Sequence, residues 1–325
     1  MAGVEASTIG LQIGKPMDSV LLTPAASPSY AAGKLVFDSD NDSLTFFNSD
    51  SGVGMQVGQE FWLRAKNVTG STIGNGVPVY ISGSDGSLPT IAPAVGNADP
   101  NAYTVGLTTE SIADTVTGFV TTQGIVHGLD TSGFSNGAIL YAHPTSAGVL
   151  TSTAPTFPYF KSRVGVVARS HATLGQIFVN PSTTTQRMIS VRNPLIFTKS
   201  DTTLADVTGL SVNVLPGVHA FEAVLQLSAS AIGGYKLAIG GTATATALLA
   251  RIVANNVLTA VLNSAVTALG SAVGAVAGTD IFVRIFGTVV VSVAGTLTIQ
   301  FAENVASGSS SVLANSAFQL QVVAN

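Results

Sequence analysis

The chain has 325 residues, a formal net charge of -4, no cysteine, and 9% charged residues, against roughly 25% in ordinary soluble domains. Its 13 Lys and Arg supply no basic patch able to neutralise several phosphates, which excludes nucleic acid as a partner. The missing cysteine excludes disulfides, thiolate nucleophiles and Cys-ligated metals.

With 46% apolar residues and a low net charge, the composition is that of a folding chain and not of a disordered one. A surface this poor in charge has weak self-repulsion, which suits a member of a larger assembly better than a free monomer. The length favours two folded units.

In chain order, the start MAGVEASTIG has no basic region and no long apolar run, so no secretory signal is expected. Residues 1–32 carry Pro16, Pro24 and Pro28 among Ala, Ser and Thr, and are expected to form an extended docking arm. From Leu35-Val36-Phe37 to Leu44-Thr45-Phe46-Phe47, two β-prone runs flank the turn-rich Asp38-Ser39-Asp40-Asn41-Asp42-Ser43, the pattern of a β-hairpin.

A weak internal repeat follows. Asn75-Gly76-Val77-Pro78-Val79-Tyr80, then Gly86 and Leu88, then Val105-Gly106-Leu107, correspond to Asn136-Gly137-Ala138-Ile139-Leu140-Tyr141, then Gly148 and Leu150, then Val164-Gly165-Val166. Two related β units in one domain, residues 33–185, are expected. The boundary is placed after the Ser182 to Thr185 tract, and a second domain, 186–325, shows two-residue alternation. Phe221, Ala223, Leu225 and Leu227 alternate with Glu222 and Gln226; Leu297, Ile299 and Phe301 alternate with Thr298 and Gln300; Phe318, Leu320 and Val322 alternate with Gln319 and Gln321. Strands with one dry and one wet face, separated by Gly and Ser turns, predict a jelly-roll sandwich.

Residues 247–266 fit a helical stripe about as well as strands, and their Val and Thr content favours strand. The uncharged run Ile252 to Thr279 is long enough to span a bilayer, but its Asn, Ser and Gly argue against membrane insertion.

The expected chemistry is sparse. Asp38, Asp40 and Asp42 resemble the opening of a calcium loop, yet Ser43 and Ser49 stand where Gly and the bidentate Glu are needed, and a turn accounts for all three carboxylates. His127, His143, His171 and His219 show no metal-ligand spacing and read as histidines bonded to backbone. No Gly-x-Ser-x-Gly elbow or phosphate-cradling glycine loop occurs. Glu110 and Asp114 are an available carboxylate pair that reads equally well as solvated loop residues. Phe46, Phe47, Phe61 and Trp62 read as core volume more than as a recognition surface. No catalytic residue, cofactor or metal is expected, and the chain is read as a non-enzyme.

Lys34 to Trp62 (KLVFDSDNDSLTFFNSDSGVGMQVGQEFW), with Gly118 to Val126, Gly128 to Ser132 and Leu140-Tyr141, resembles a module of tailed-bacteriophage structural proteins. SDTTLADVTGLSVNV from Ser200, with Ala294 to Ala302, resembles the jelly-roll tips of phage fibres and decorations. The resemblance implies a virion surface protein, commonly a homotrimer, whose jelly roll is similar to the tumour-necrosis-factor-like architecture. With about 32 residues before the module and no heptad run, it implies a capsid decoration or head fibre docked on the major capsid protein, located in the virion and assembled in the host cytoplasm. The alternatives are a tail fibre recognising host surface polysaccharide and, less favoured, a polysaccharide-degrading tailspike.

Overall fold

The computed structural model describes residues 21–48, 54–97, 100–184, 188–255, 262–275 and 281–324. Residues 1–20 of the expected arm, Ser49 of the calcium-loop comparison, Thr185, and residues 256–261 and 276–279 of the uncharged stretch lie outside them. Every element among the described residues is a strand, so the all-β expectation holds.

The first sheet has the order β1-β2-β3-β4, made of β1 (Pro24–Ala25), β2 (Leu35–Asp38), β3 (Ser43–Phe47) and β4 (Gly54–Gln56). The expected hairpin is β2–β3, with Asp38 opposite Ser43 and Leu35 opposite Phe46. Within the expected arm, Pro24 and Ala25 pair in parallel with Phe37 and Asp38, so this stretch docks as a strand on its own chain.

The second sheet comprises β5 (Phe61–Asn67), β6 (Pro78–Asp85), β7 (Leu88–Pro93), β8 (Gly106–Thr108), β9 (Thr117–Leu129), β10 (Ile139–Ala142), β11 (Leu150–Thr151), β12 (Lys161–Arg169) and β13 (Gly175–Thr184). Its order is β11-β10-β12-β13-β9-β5-β7-β6-β8, and an additional β9–β8 pairing closes β5, β7, β6, β8 and β9 into a ring. Closure removes unpaired edges.

The internal repeat is visible in the register. Val79 pairs with Gly106, and the corresponding Leu140 pairs with Gly165. The Gly76 N–H donates to Thr108 O at 2.9 Å, as the Gly137 N–H does to Val167 O at 2.8 Å. Gly76 and Gly137, in the two Asn-Gly turns, have φ of 73° and 79°, a left-handed conformation that strains other residues. The first half of β9 pairs with β5 and its second half with β13, so one strand belongs to both units. Two apolar clusters fill this sheet: one includes Ile73, Val79, Ile91, Ile112 and Val120 of the first unit, and the other joins Ala94 and Leu107 of the first unit to Leu140, Val164, Val167, Ile177 and Val179 of the second.

The remaining strands are β14 (Met188–Arg192), β15 (Phe197–Lys199), β16 (Ala205–Val214), β17 (Gly217–Ser228), β18 (Tyr235–Gly240), β19 (Thr244–Asn255), β20 (Leu262–Val266), β21 (Val273–Ala275), β22 (Ile281–Val293), β23 (Gly295–Ala302), β24 (Ser310–Val312) and β25 (Ala317–Ala324). One sheet runs β14-β25-β17-β22-β19-β20, with β24 joining β15 to β17, and the other runs β16-β23-β18-β21. Setting aside the β19–β20 hairpin and the short β15 and β24, the two orders are those of a jelly roll, with first strand beside last and successive strands crossing between sheets.

The alternations expected in β17, β23 and β25 place Phe221, Leu225, Leu297, Ile299, Phe301, Phe318 and Leu320 in the shared core. Thr298, on the expected wet face of β23, is instead fully buried and donates its hydroxyl to Leu210 O at 3.1 Å, which removes the penalty for burying it. Residues 247–255 and 262–266 form an antiparallel hairpin pairing Ile252 with Ser264, the strand reading. No described helix is long and apolar enough to cross a membrane.

Candidate functional site

The outer face of the six-stranded sheet exposes large apolar side chains beside a few charged ones. In β17, β22 and β19 the inward residues are core, so the odd-and-even geometry of a strand turns their neighbours outward. Across these strands Glu222 lies opposite Phe286, and Phe286 lies opposite Arg251, which puts all three side chains on one face. Leu249 is 67% exposed, Phe282 51% and Phe286 36%.

Two of the charges on this central part of the face pair with each other. Arg284 Nε donates to Glu222 Oε1 at 2.5 Å, and its guanidinium stands 5.1 Å from the centre of the Phe286 ring. The Glu222 carboxylate in turn holds the guanidinium above its ordinary pKa, through the hydrogen bond first and the charge second. Arg251 donates to Asn263 Oδ1 at 2.6 Å. Exposed aromatics beside Arg, with few free charges, are the composition of interface centres.

A second apolar surface lies on the first sheet, where Leu21, Leu22, Pro24, Leu35, Phe37 and Leu44 line a groove of about 590 Å3. Leu21 is 97% exposed and Leu35 50%. It is the part of the described arm that offers apolar area to another molecule.

Four of the carboxylates singled out in the sequence, Asp38, Asp40, Glu110 and Asp114, accept hydrogen bonds from backbone and turn groups. Asp38 Oδ1 accepts the Asp40 N–H at 2.9 Å and its Oδ2 accepts the Asn41 amide at 2.8 Å. Asp40 Oδ2 accepts both the N–H and the hydroxyl of Ser27, tying the arm to the hairpin turn. Asp114 accepts the Gly70 N–H and Glu110 the Phe119 N–H; each closes a loop end. Among the described residues no three His, Asp or Glu gather as a metal would need.

Three histidines bond to backbone. His143 Nδ1 accepts the N–H groups of Thr145 and Ser146, and His171 Nδ1 accepts those of Thr173 and Leu174. His219 is buried, its Nε2 lies 2.8 Å from Leu215 O, and burial lowers its pKa. His127 departs from that pattern, since its Nδ1 meets the Gln176 amide at 3.0 Å and its Nε2 stands 3.9 Å from Glu60 Oε1.

Glu60 was not legible as a special residue in the sequence. It follows the turn after β4, is 7% exposed, and its pKa is pushed up to about 7 by burial, against the smaller lowering pull of the Gln56 N–H and the Trp62 indole. The Gln56 N–H reaches Glu60 Oε2 at 3.4 Å. The Trp62 indole lies beside the same carboxyl. Burial also lowers the His127 pKa, so it disfavours the charged form of both partners. Of the four aromatics read as core, Phe47 is buried, whereas Phe46 is 36% and Phe61 59% exposed, and Trp62 lies against Phe119 with ring centres 5.2 Å apart.

No protein-family model and no curated protein matches the chain. Among solved structures, it is similar to infectious bursal virus-derived T=1 particles at 12% identity, over 82% of this chain and 79% of that one, with a TM-score of 0.15. The Gx and Gt strains of infectious bursal disease virus match at 12% and 13% identity, over 82% of this chain and 80% and 82% of theirs, each with a TM-score of 0.14. Scores of that size establish no common fold, and no functional conclusion follows from them.

Proposed function

We propose that the chain is a structural protein of a bacteriophage virion, a homotrimeric capsid decoration or head fibre. The observation that carries this reading is the outer face of the six-stranded sheet, with Leu249, Phe282 and Phe286 exposed and the Arg284 charge already paired with Glu222. Closed symmetry turns such a face into an interface. Three copies, and the phage context, rest on the resemblance of residues 34–62 and 200–302 to phage virion modules. The arm side, with its apolar groove, faces the shell and its major capsid protein, and the jelly roll projects outward.

Two measurements test the proposal. Light scattering at micromolar concentration is expected to give three times the 32.8 kDa chain mass, and Phe286→Asp with Leu249→Asp to give the single-chain mass with an unchanged β spectrum. A wild-type monomer refutes the trimer. Labelled antibodies are expected to decorate the shell of the particle; label confined to the tail refutes the capsid position and selects the tail-fibre reading.

A further inference from the structure

The two Asn-Gly turns of the repeat share a backbone geometry and differ in how the Asn side chain is held. The Gly76 and Gly137 N–H groups donate to Thr108 O and Val167 O at 2.9 and 2.8 Å, and both glycines have positive φ, 73° and 79°. Asn75 and Asn136 are both exposed. Asn136 is pinned, because its Oδ1 accepts the Ser170 N–H at 2.6 Å. Among the described residues nothing bonds the Asn75 side chain, and Asn75 borders a cavity of about 290 Å3 that gives it room to turn and gives water a way in.

Asparagine before glycine carries its own reaction. The Gly nitrogen, after losing its proton to hydroxide, attacks the Asn Cγ; the N–Cγ bond forms, the Cγ–Nδ2 bond breaks, and Nδ2 leaves as ammonia with a proton from water. Water then opens the five-membered imide at either carbonyl, leaving aspartate or isoaspartate. The missing Gly Cβ lets Cγ approach the nitrogen, and Gly76 is fixed as the neighbour, since a Cβ there would stand 2.6 Å from Leu129 Cδ2. The attack requires the side chain to swing until Cγ stands over that nitrogen. Restraint of the nitrogen is alike in the two turns and cancels between them; restraint of the side chain is not. We propose that Asn75 is a self-modifying site, which deamidates in the folded protein well ahead of Asn136. The product acts on Thr108, whose hydroxyl donates to Gly74 O at 2.6 Å and accepts the Val77 N–H at 3.0 Å. Isoaspartate routes the main chain through Cγ and adds a backbone carbon, which draws Gly76 away from Thr108 beside the β6–β8 pairing that closes the ring.

The full-length protein is held in warm, mildly alkaline buffer, and samples are cut over time with chymotrypsin, whose sites at Tyr80, Tyr103 and Phe119 separate the two turns. Mass spectrometry reads the exchange of amide for carboxyl at each Asn, and a parallel sample in denaturant gives the rates without the fold. In the folded protein Asn75 is expected to react about tenfold faster than Asn136, the ratio that one hydrogen bond of about 1.4 kcal/mol gives, and in denaturant the two are expected to react alike. Thr108→Val, which releases Gly74 O and the Val77 N–H, is expected to speed Asn75 further and to leave Asn136 unchanged; its β spectrum is checked, and the wild-type comparison carries the test alone if it misfolds. Equal rates in the folded protein, or Asn136 ahead, overturn the proposal. So does an Asn75 that stays intact in the folded protein after it has converted in denaturant, or a gap between the two that denaturant leaves in place.

Discussion

Gly106 and Gly165 occupy the same place in the two repeat units, and neither is there for backbone freedom. A Cβ on Gly106 would stand 2.1 Å from Thr121 O, and one on Gly165 would stand 2.2 Å from Phe178 O, so each strand approaches its neighbour too closely for any side chain. Gly106→Ala and Gly165→Ala are expected to destabilise by about 1–3 kcal/mol each, as overpacking does. Gly133→Ala, whose Cβ would meet nothing within 4 Å, is the control, expected within about 0.5 kcal/mol of wild type. Denaturant unfolding of the three variants checks this. These glycines stood in the quoted repeat, but their reason is a backbone contact between distant segments, which one dimension does not display.

Glu60 makes a second prediction at this scale. Its pKa rises on folding from 4.5 to about 7, so the unfolded chain releases the proton first as pH rises. The stability tied to the protonated carboxyl is therefore complete below pH 4.5 and is lost as pH rises through about 7, by at most about 3 kcal/mol at 1.36 kcal/mol per pKa unit. His127 and His219, both lowered by burial, act oppositely and remove stability as pH falls below the histidine range. Unfolding free energies between pH 5 and 8 are expected to decline for wild type and to stay flatter for Glu60→Gln; parallel curves would contradict the burial argument. Nothing near Glu60 in the sequence announced this, because its burial comes from Gly124, whose missing side chain lets Gln59 and Glu60 lie against β9.

Among elements, β17, β23 and β25 were readable because a polar residue marks the outward side of each. β19 was not, because Leu249 and Val253 put apolar residues on its outward side beside Arg251. Leu248 is 6% exposed and Leu249 67%, and Ile252 faces the core while Val253 is only half-buried. A stripe of such residues has no period-two contrast, which is why helix and strand competed over 247–266 until pairing with β22 decided it. The adjacent leucines give opposite expectations. Leu248→Ala should lower unfolding stability by about 2–5 kcal/mol through the cavity it leaves. Leu249→Ala should leave the monomer's stability within about 0.5 kcal/mol while shifting the light-scattering mass towards the single chain at low concentration.

For the whole molecule, the scarcity of charge has a measurable counterpart. The described ion pairs free of histidine are Lys66 with Asp85, Lys199 with Asp201 and Arg284 with Glu222, all with at least one partner half-exposed or more. Exposed pairs contribute about 0–1 kcal/mol and are screened by salt. Unfolding stability is therefore expected to change by less than about 1 kcal/mol between low and physiological salt, and a larger loss would show that charges matter more to this fold than burial does. The all-β class and the duplication were legible, since both rest on local chemistry, namely alternation and Asn-Gly turns. The ring closure was not: it depends on the parallel pairing of Lys66 with Thr90, for which the second unit has no counterpart among the described strands.

β9 serves both repeat units, and this ties their shapes together. Two copies joined by a flexible connector are free to drift, to be lost or to swap partners one at a time. Here the strand that completes the first copy continues without a break into the strand on which the second is built. A substitution in β9 therefore touches the pairing of both halves at once.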